Sequence, residues 1–283
     1  MWYLDDGNLI GTPDEVAKAL DIIKAMGPSY GIFLNRDKCH FITRSSALRD
    51  TMQERFNVPP QFCHSLERDG GFDVLGSPIG SPDFCEKFFE DEVIAKLRIA
   101  CDALLGLDDP HIATYLLRNC VSFCRAVYLM RTTPPAHIAK GTRLFDEIVI
   151  KTQCDILGIG GPREAVRQVK LSTRDGGLGL RSAYDHRRAA YVASVSLCAV
   201  DDKWDKTCAV DYCTEEKLLM EQTGDPSCMS TQRGASLAID RKIWQQLFDE
   251  GSMEDKVRLR SLSNNSALAF LNAPPSDYLQ NHF

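Results

Sequence analysis

The sequence predicts an α+β fold in which small β elements come first and helices follow. Near the start, short apolar pairs flank turn-forming residues, and the segment "FDVLGSPIG" at Phe72–Gly80 has the same strand-and-turn pattern. From Ser81 onward, apolar residues recur every three or four positions between helix caps. A chain of 283 residues that is 44% hydrophobic has enough apolar material for one large domain or two small ones.

The first elements follow from turn and cap residues. We expect strands at Tyr3–Leu4 and Leu9–Ile10 around the turn Asp5–Asn8, because Asp, Asn and Gly favour tight hairpins. Thr12, followed by Pro13 and by Glu15 three residues on, forms a capping box and predicts a helix. Gly27-Pro28 should end that helix.

The next segments return to strand before the helices begin. "GIFLNRDKCHFIT" at Gly31–Thr43 predicts a strand with a turn at Asn35–Lys38, and a short helix is expected near Ser46–Phe56. Further helices are predicted from Ser81-Pro82 to Gly106, from Asp109-Pro110 towards Arg131, from beyond Pro134-Pro135 to about Leu157, and near Ser182–Val200, Gln232–Asp249 and Ser266–Asn272.

Composition indicates an intracellular protein and not a membrane protein. The sequence has no run of about 18 apolar residues, and its acidic start is unlike a secretory signal peptide. The 11 cysteines are odd in number and scattered. Cys120 and Cys124 are four residues apart on an expected helix but have no histidine nearby, so reduced thiols are favoured over a zinc site.

Charge is distributed unevenly along the chain. The net charge is −6, yet the stretch from Arg118 to Arg188 contains 13 Lys or Arg and only 6 Asp or Glu. A basic stretch between acidic ends is typical of a surface that contacts phosphate backbones, although it also fits a solvated polar face. Arg118 and Arg125 are seven residues apart on one predicted helix and should share a face.

The paired aspartates Asp5 and Asp6 raise a chemical question, since adjacent carboxylates repel each other unless a cation neutralises them. Mg²⁺ prefers carboxylate oxygens and keeps waters that a phosphate substrate can replace. A polar turn without a metal is the simpler interpretation of the tripeptide alone. However, Tyr3-Leu4-Asp5-Asp6 resembles the Tyr-x-Asp-Asp motif of reverse transcriptases, the metal-binding hairpin of the polymerase palm.

The resemblance extends along most of the chain and points to non-LTR (LINE-type) retrotransposon enzymes. The helix followed by "GIFLNRDKCHFIT" resembles the next palm segment, and "FDVLGSPIG" resembles the hairpin that grips the primer. "LMRTTPP", "DGGLGLRSAYDHRRAAYVAS" and "ALAFLNAPPS" resemble segments that recur downstream in such elements. The resemblance implies a partial palm over residues 1–80, a helical thumb-like region over 81–157 and a helical C-terminal region over 158–283.

The same resemblance assigns roles to individual residues. Asp5 and Asp6 match the catalytic, Mg²⁺-binding pair, and Lys38 matches a lysine near the leaving pyrophosphate, although it also fits a solvated turn lysine. The partners implied are an RNA template and a DNA primer. Residues matched to nucleic acid are Tyr3 near the primer end, Leu75, Gly76 and Ser77 in the primer-gripping turn, and Arg118, Arg125, Lys140 and Arg143 in the thumb-like helices.

The resemblance also sets a limit on the expected activity. Reverse transcriptases use a further aspartate and fingers that lie before the Tyr-x-Asp-Asp hairpin, and here only Met1 and Trp2 precede it. We therefore expect this chain alone to be inactive as an RNA-directed DNA polymerase. The alternative is a non-catalytic helical remnant that binds nucleic acid or another protein.

Overall fold

The computed structural model describes residues 2–3, 6–159, 163–199, 206–264 and 266–267. The chain divides into two compact units, Met1–Phe72 and Asp73–Phe283. Most of the described residues are helical and the strands are few and short, a content consistent with the predicted α+β class. None of the described helices is long and apolar enough to cross a membrane.

The first unit opens with a very short antiparallel hairpin. Strand β1 (Trp2–Tyr3) pairs with β2 (Asp6–Gly7) in a register that places Tyr3 opposite Asp6. The predicted second strand at Leu9–Ile10 is wrong, because the pairing begins at Asp6 and only two residues separate the strands. Leu9 and Ile10 instead lie exposed in irregular backbone.

Helix α1 (Pro13–Met26) confirms the capping-box prediction. The Glu15 amide donates to Thr12 Oγ1 at 3.4 Å, and the Thr12 amide donates to Glu15 Oε2 at 2.8 Å. The reciprocal bonds satisfy two of the amides that a helix start leaves without partners. A 3₁₀ turn at Gly27–Tyr30 follows directly, so the helix ends where Gly27-Pro28 predicted.

The remainder of the first unit is built around one pair of parallel strands. Strand β3 (Phe41–Thr43) pairs with β4 (Cys63–Ser65), and helix α2 (Ser46–Phe56) connects them, as its sequence predicted. The strand prediction over Gly31–Thr43 holds only for its last three residues, because β4 offers a partner of only three residues. A short helix, α3 (Leu66–Asp69), completes the unit.

The chain passes from the first unit to the second within a hairpin strand and continues as two long interrupted helices. Strands β5 (Gly71–Val74) and β6 (Ser77–Gly80) flank a two-residue turn. Helix α4 (Pro82–Phe89) passes through a π-helical turn into α5 (Ala95–Leu105). Helix α6 (Pro110–Leu116) passes through a second π-helical turn, Leu117–Val121, into α7 (Phe123–Thr132).

Six further helices follow in the described part of the second unit. They are α8 (Ala139–Leu157), α9 (Arg163–Val169), α10 (Ala183–Cys198), α11 (Tyr212–Thr223), α12 (Gln232–Glu250) and α13 (Met253–Leu262). Helices α8, α10 and α12 confirm their predictions, whereas α9, α11 and α13 were not predicted. The predicted helix at Ser266–Asn272 lies outside the described residues except for its first two positions.

Two apolar cores hold these helices together. The larger core joins α4, α5, α7 and α8 around Phe89, Leu97, Met130 and Phe145, all at most 1% exposed. The smaller core joins the outer side of α10 to α11 and α12 through residues such as Tyr212. Helix α10 contributes to both cores and therefore connects the two halves of this unit.

Candidate nucleic-acid interface

The structure describes one of the paired aspartates, Asp6, in the short N-terminal hairpin. Asp5 lies outside the described residues, while Asp6 is on β2, exposed and opposite Tyr3. An exposed carboxylate on a hairpin is suited by its chemistry to a hard cation such as Mg²⁺. Among the residues that the structure describes, no three His, Cys, Asp or Glu side chains come together as a metal site.

Lys38 ends a short 3₁₀ turn, Arg36–Lys38, and its side chain is exposed. Asn35 organises this turn, because its side-chain oxygen accepts from the Asp37 amide at 3.1 Å and its carbonyl accepts from the Lys38 amide at 3.2 Å. The predicted turn at Asn35–Lys38 is therefore present. The role of Lys38 near a leaving group stays a prediction.

The turn matched to the primer grip has an uncommon backbone conformation. Leu75 has φ +52° and Gly76 has φ +73°, the pair of left-handed residues that defines a type I′ hairpin turn. Gly76 adopts this conformation without strain, whereas a leucine there is sterically disfavoured. Both residues are exposed, while Ser77 is buried at the start of β6.

Tyr128 on α7 holds this turn through a single hydrogen bond. Its hydroxyl donates to the Leu75 carbonyl oxygen at 2.6 Å, a short bond across 53 residues of sequence. The exposed side of α7 therefore lies beside the turn. Sequence reasoning missed Tyr128, because nothing in its spacing distinguishes a tyrosine that reaches a distant carbonyl from one that only covers the core.

Arg118 and Arg125 do not lie on one continuous α-helix, as their prediction assumed. The π-helical turn Leu117–Val121 changes the rotation per residue, and Ser122 (φ −81°, ψ −129°) breaks the helix between them. Arg125 is exposed, and its Nε donates to the Cys120 carbonyl at 3.2 Å. Arg118 is half-buried, and burial lowers the pKa of its guanidinium.

The stem of Arg118 explains one glycine of the "DGGLGL" segment. A Cβ at Gly179 would approach Arg118 Cδ to 2.9 Å, and Gly179 also has φ +75°. Glycine adopts this left-handed conformation without strain and leaves room for the arginine stem against the backbone. Arg118 therefore has a packing role in addition to its charge.

Lys140 and Arg143 lie three residues apart on the exposed side of α8. Arg143 stacks over the Tyr184 ring at 4.4 Å and donates to the Tyr184 hydroxyl at 2.5 Å. That hydrogen bond lowers the pKa of Tyr184. Because the tyrosine fixes the guanidinium, a phosphate can bind there at a smaller cost in side-chain entropy.

Much of the basic stretch faces inward instead of forming a charged surface. His186 stands beside Arg187 and Arg188 in the sequence, a run typical of a basic surface, but it does not lie on the surface. His186 is buried, with Nε2 3.1 Å from Asp240 Oδ1 and Nδ1 2.9 Å from the Ser182 carbonyl. Arg181 donates to the other Asp240 oxygen at 3.0 Å.

The two neighbouring arginines are also committed to internal contacts. Arg187 is buried, donates to the Pro135 carbonyl at 3.1 Å and lies 3.8 Å from the centre of the Tyr184 ring. Arg188 pairs with the buried Glu215 at 2.7 Å. These charged side chains of α10 face the protein interior, where a polar group without a partner costs free energy. Each of them has a hydrogen-bond or ion-pair partner.

A further buried carboxylate, Asp146 of α8, caps the start of α10. It accepts from the Ser182 hydroxyl and from the Ala183 amide, the latter at 2.7 Å, and Lys170 lies 3.5 Å away. Burial raises the pKa of Asp146, although Lys170 and the hydrogen bonds oppose that shift. The "RSAYDHRR" segment is therefore a packing junction of the second unit.

Comparison of the chain with known protein families, with curated proteins and with solved structures gave no match.

Proposed function

We propose that this chain is a piece of a non-LTR retroelement reverse transcriptase whose second unit contacts the backbone of a primer–template duplex. The hydrogen bond from Tyr128 to Leu75 carries the proposal, because it places the primer-grip-like turn beside a helix that presents Arg125. Two segments that the resemblance assigns to nucleic acid are thereby adjacent in space although 50 residues apart in sequence.

Such a contact requires cationic side chains that can reach the phosphates of the duplex. Arg125, Lys140 and Arg143 expose cationic groups, and Arg143 is pre-oriented by Tyr184. Contacts to phosphate position a duplex but do not depend on its sequence. We therefore expect binding that is independent of sequence and decreases with salt.

The polymerase step belongs to the first unit in this proposal. Asp5 and Asp6 would hold Mg²⁺, which would neutralise charge on a transferred phosphoryl group when bound. Tyr3, opposite Asp6 in the hairpin, would lie near the primer end, and Lys38 would supply positive charge to the leaving group.

A salt titration with a fluorescent RNA–DNA duplex tests the interface. Three engaged phosphates predict a slope of about −3 for log affinity against log salt concentration. The double variant R125E/K140E should flatten that slope by roughly two units. The control is K217E, which reverses an exposed lysine on α11 outside the interface and should leave the slope unchanged.

A helical remnant that binds another protein is the second candidate. The first unit favours it, because α1 has no buried residue and leaves Ile22 and Met26 more than half exposed. Exposed apolar side chains of this kind mark protein interfaces when they are contiguous. Absence of duplex binding even at low salt would reject the nucleic-acid interface and favour this candidate.

A further inference from the structure

A cavity of about 410 Å³ opens among the helices of the smaller core, and none of the interface residues above lines it. Cavities of this size commonly hold small organic ligands. Its walls come from α9, the residue that follows it, α10, α11 and α12. The lining residues are Arg167, Lys170, Asp185, Gln222, Ile239, Lys242, Ile243 and Gln246.

Three cations and one carboxylate line this cavity. Arg167 pairs with Glu250 at 2.5 Å and Lys170 pairs with Asp146 at 3.5 Å, so carboxylates already hold both side chains in place. Lys242 differs from them, since its ammonium donates to the Glu221 carbonyl at 3.0 Å. Within the described part of the chain no carboxylate lies within ion-pair distance of Lys242, so this charge remains for a ligand.

Gln222 adds a polar group that needs a partner. Its Nε2 donates to the Asp185 carbonyl at 2.8 Å, while its Oε1 is buried and accepts no hydrogen bond from the described residues. A buried acceptor without a donor costs free energy in the empty protein. A ligand hydroxyl would satisfy this oxygen.

The floor of the cavity is apolar. Ile239 is 2% exposed and Ile243 lies one turn further along α12, so both can cover the body of a small ligand. Cations that converge from different helices, together with an acceptor and an apolar floor, suit an anionic group on a hydroxylated carbon skeleton.

We propose that this cavity binds a phosphomonoester of a hydroxylated body, such as a sugar phosphate or the terminal nucleotide of a nucleic-acid strand. The phosphate would lie against Lys242, Arg167 and Lys170, and a sugar hydroxyl would donate to Gln222 Oε1. The proposal does not depend on the reverse-transcriptase proposal, since every residue in it belongs to one helical cluster.

Calorimetric titration of the full chain with ribose 5-phosphate tests the phosphate contact. We expect saturable binding of ribose 5-phosphate and none of ribose. K242Q should bind ribose 5-phosphate about tenfold more weakly or worse, because it loses a charge-assisted hydrogen bond to the phosphate. The control K217Q removes an exposed lysine on α11 outside the cavity and should bind as the parent does. No saturable binding, or equal affinity in K242Q, overturns the proposal.

Two further titrations define the ligand. Methyl phosphate lacks the sugar hydroxyls and should bind more weakly than ribose 5-phosphate; equal affinity would remove Gln222 from the proposed site and overturn the hydroxylated-body assignment. A 5′-phosphorylated oligonucleotide is then compared with its 5′-hydroxyl form. If the phosphorylated strand binds more tightly than the hydroxyl form, the ligand is the end of a nucleic-acid strand. If only the free sugar phosphate binds, the ligand is a small molecule.

Discussion

The two units of this chain differ in how much side chain they bury. In the second unit, Phe89, Phe145 and Met130 are inaccessible to solvent, and charged groups such as Asp240 are buried with partners. In the first unit, helix α1 buries no residue and the parallel sheet is only three residues long. Burial of apolar surface is the main favourable term in folding, so we expect the second unit to carry most of the stability.

Truncating a buried phenylalanine gives the largest expected contrast between the units. Phe145→Ala, at a position 1% exposed, should lower the free energy of unfolding by about 3–5 kcal/mol because it leaves a cavity. Phe33→Ala, at a position 76% exposed in the first unit, should change it by about 0.5 kcal/mol or less. Urea denaturation followed by circular dichroism measures both; similar losses for the two variants would break the comparison.

Two carboxylates give the next contrast. Asp240→Asn weakens the acceptor that His186 and Arg181 share in the interior and should cost about 1–3 kcal/mol at neutral pH. Asp14→Asn in the first unit breaks the Arg55 ion pair, whose side chains are both exposed, and should cost about 0.5 kcal/mol or less.

The effect of Asp240 should depend on pH in a defined direction. Burial alone would raise the pKa of this carboxyl, but the His186 hydrogen bond and the nearby Arg181 outweigh it and hold the pKa below its usual value. Stability from such a group is present above the unfolded-state pKa, about 4, and is lost as pH falls through the folded-state value. The difference between the parent and D240N should therefore shrink below about pH 4, and a difference that grows on acidification would contradict this.

Hydrogen exchange compares the units residue by residue. Amide protons of α2 should exchange faster than those of α10, because α2 buries only Met52 whereas α10 contributes to both cores. Limited proteolysis of the full chain should also cut first before Asp73. Equal protection of α2 and α10 would show that the first unit is as stable as the second.

Local sequence signals predicted those elements whose ends are determined by their own residues. Thr12 with Pro13 and Glu15 predicted α1 to the residue, and Asp109-Pro110 predicted the start of α6. Cap hydrogen bonds join residues two to four positions apart, so they can be read directly from the sequence.

Features that depend on distant partners could not be predicted in the same way. Arg118 lies in the π-helical turn Leu117–Val121, the break at Ser122 separates it from Arg125, and no composition rule marks such a turn. The inward orientation of His186 depends on Asp240, 54 residues away, so the sequence shows only a run of basic residues. For the candidate interface, the turn at Leu75–Gly76 was predicted, but the Tyr128 bond was not.

The smallest expected effect concerns two of the described non-glycine residues in the left-handed conformation, Asn57 of the first unit and Leu75 of the second. Asn57 (φ +47°) ends α2 and Leu75 (φ +52°) forms the first position of the type I′ turn. Asparagine tolerates this conformation because its short polar side chain can bond locally, whereas leucine is strained in it. Asn57 is therefore a favourable residue type at its position, whereas Leu75 is an unfavourable one.

Exchanging the residue types should reverse this local difference. Leu75→Asn creates the Asn-Gly pair that type I′ turns prefer, keeps the carbonyl that accepts from Tyr128, and should stabilise the second unit by about 0.5–1 kcal/mol. Asn57→Leu should destabilise the first unit by a similar amount. Amide exchange measured separately in β6 and in α2 reports the two effects. A destabilising L75N would contradict this expectation. It would mean that the contacts of the leucine side chain, which is 40% exposed, stabilise the turn by more than the left-handed backbone conformation of leucine costs.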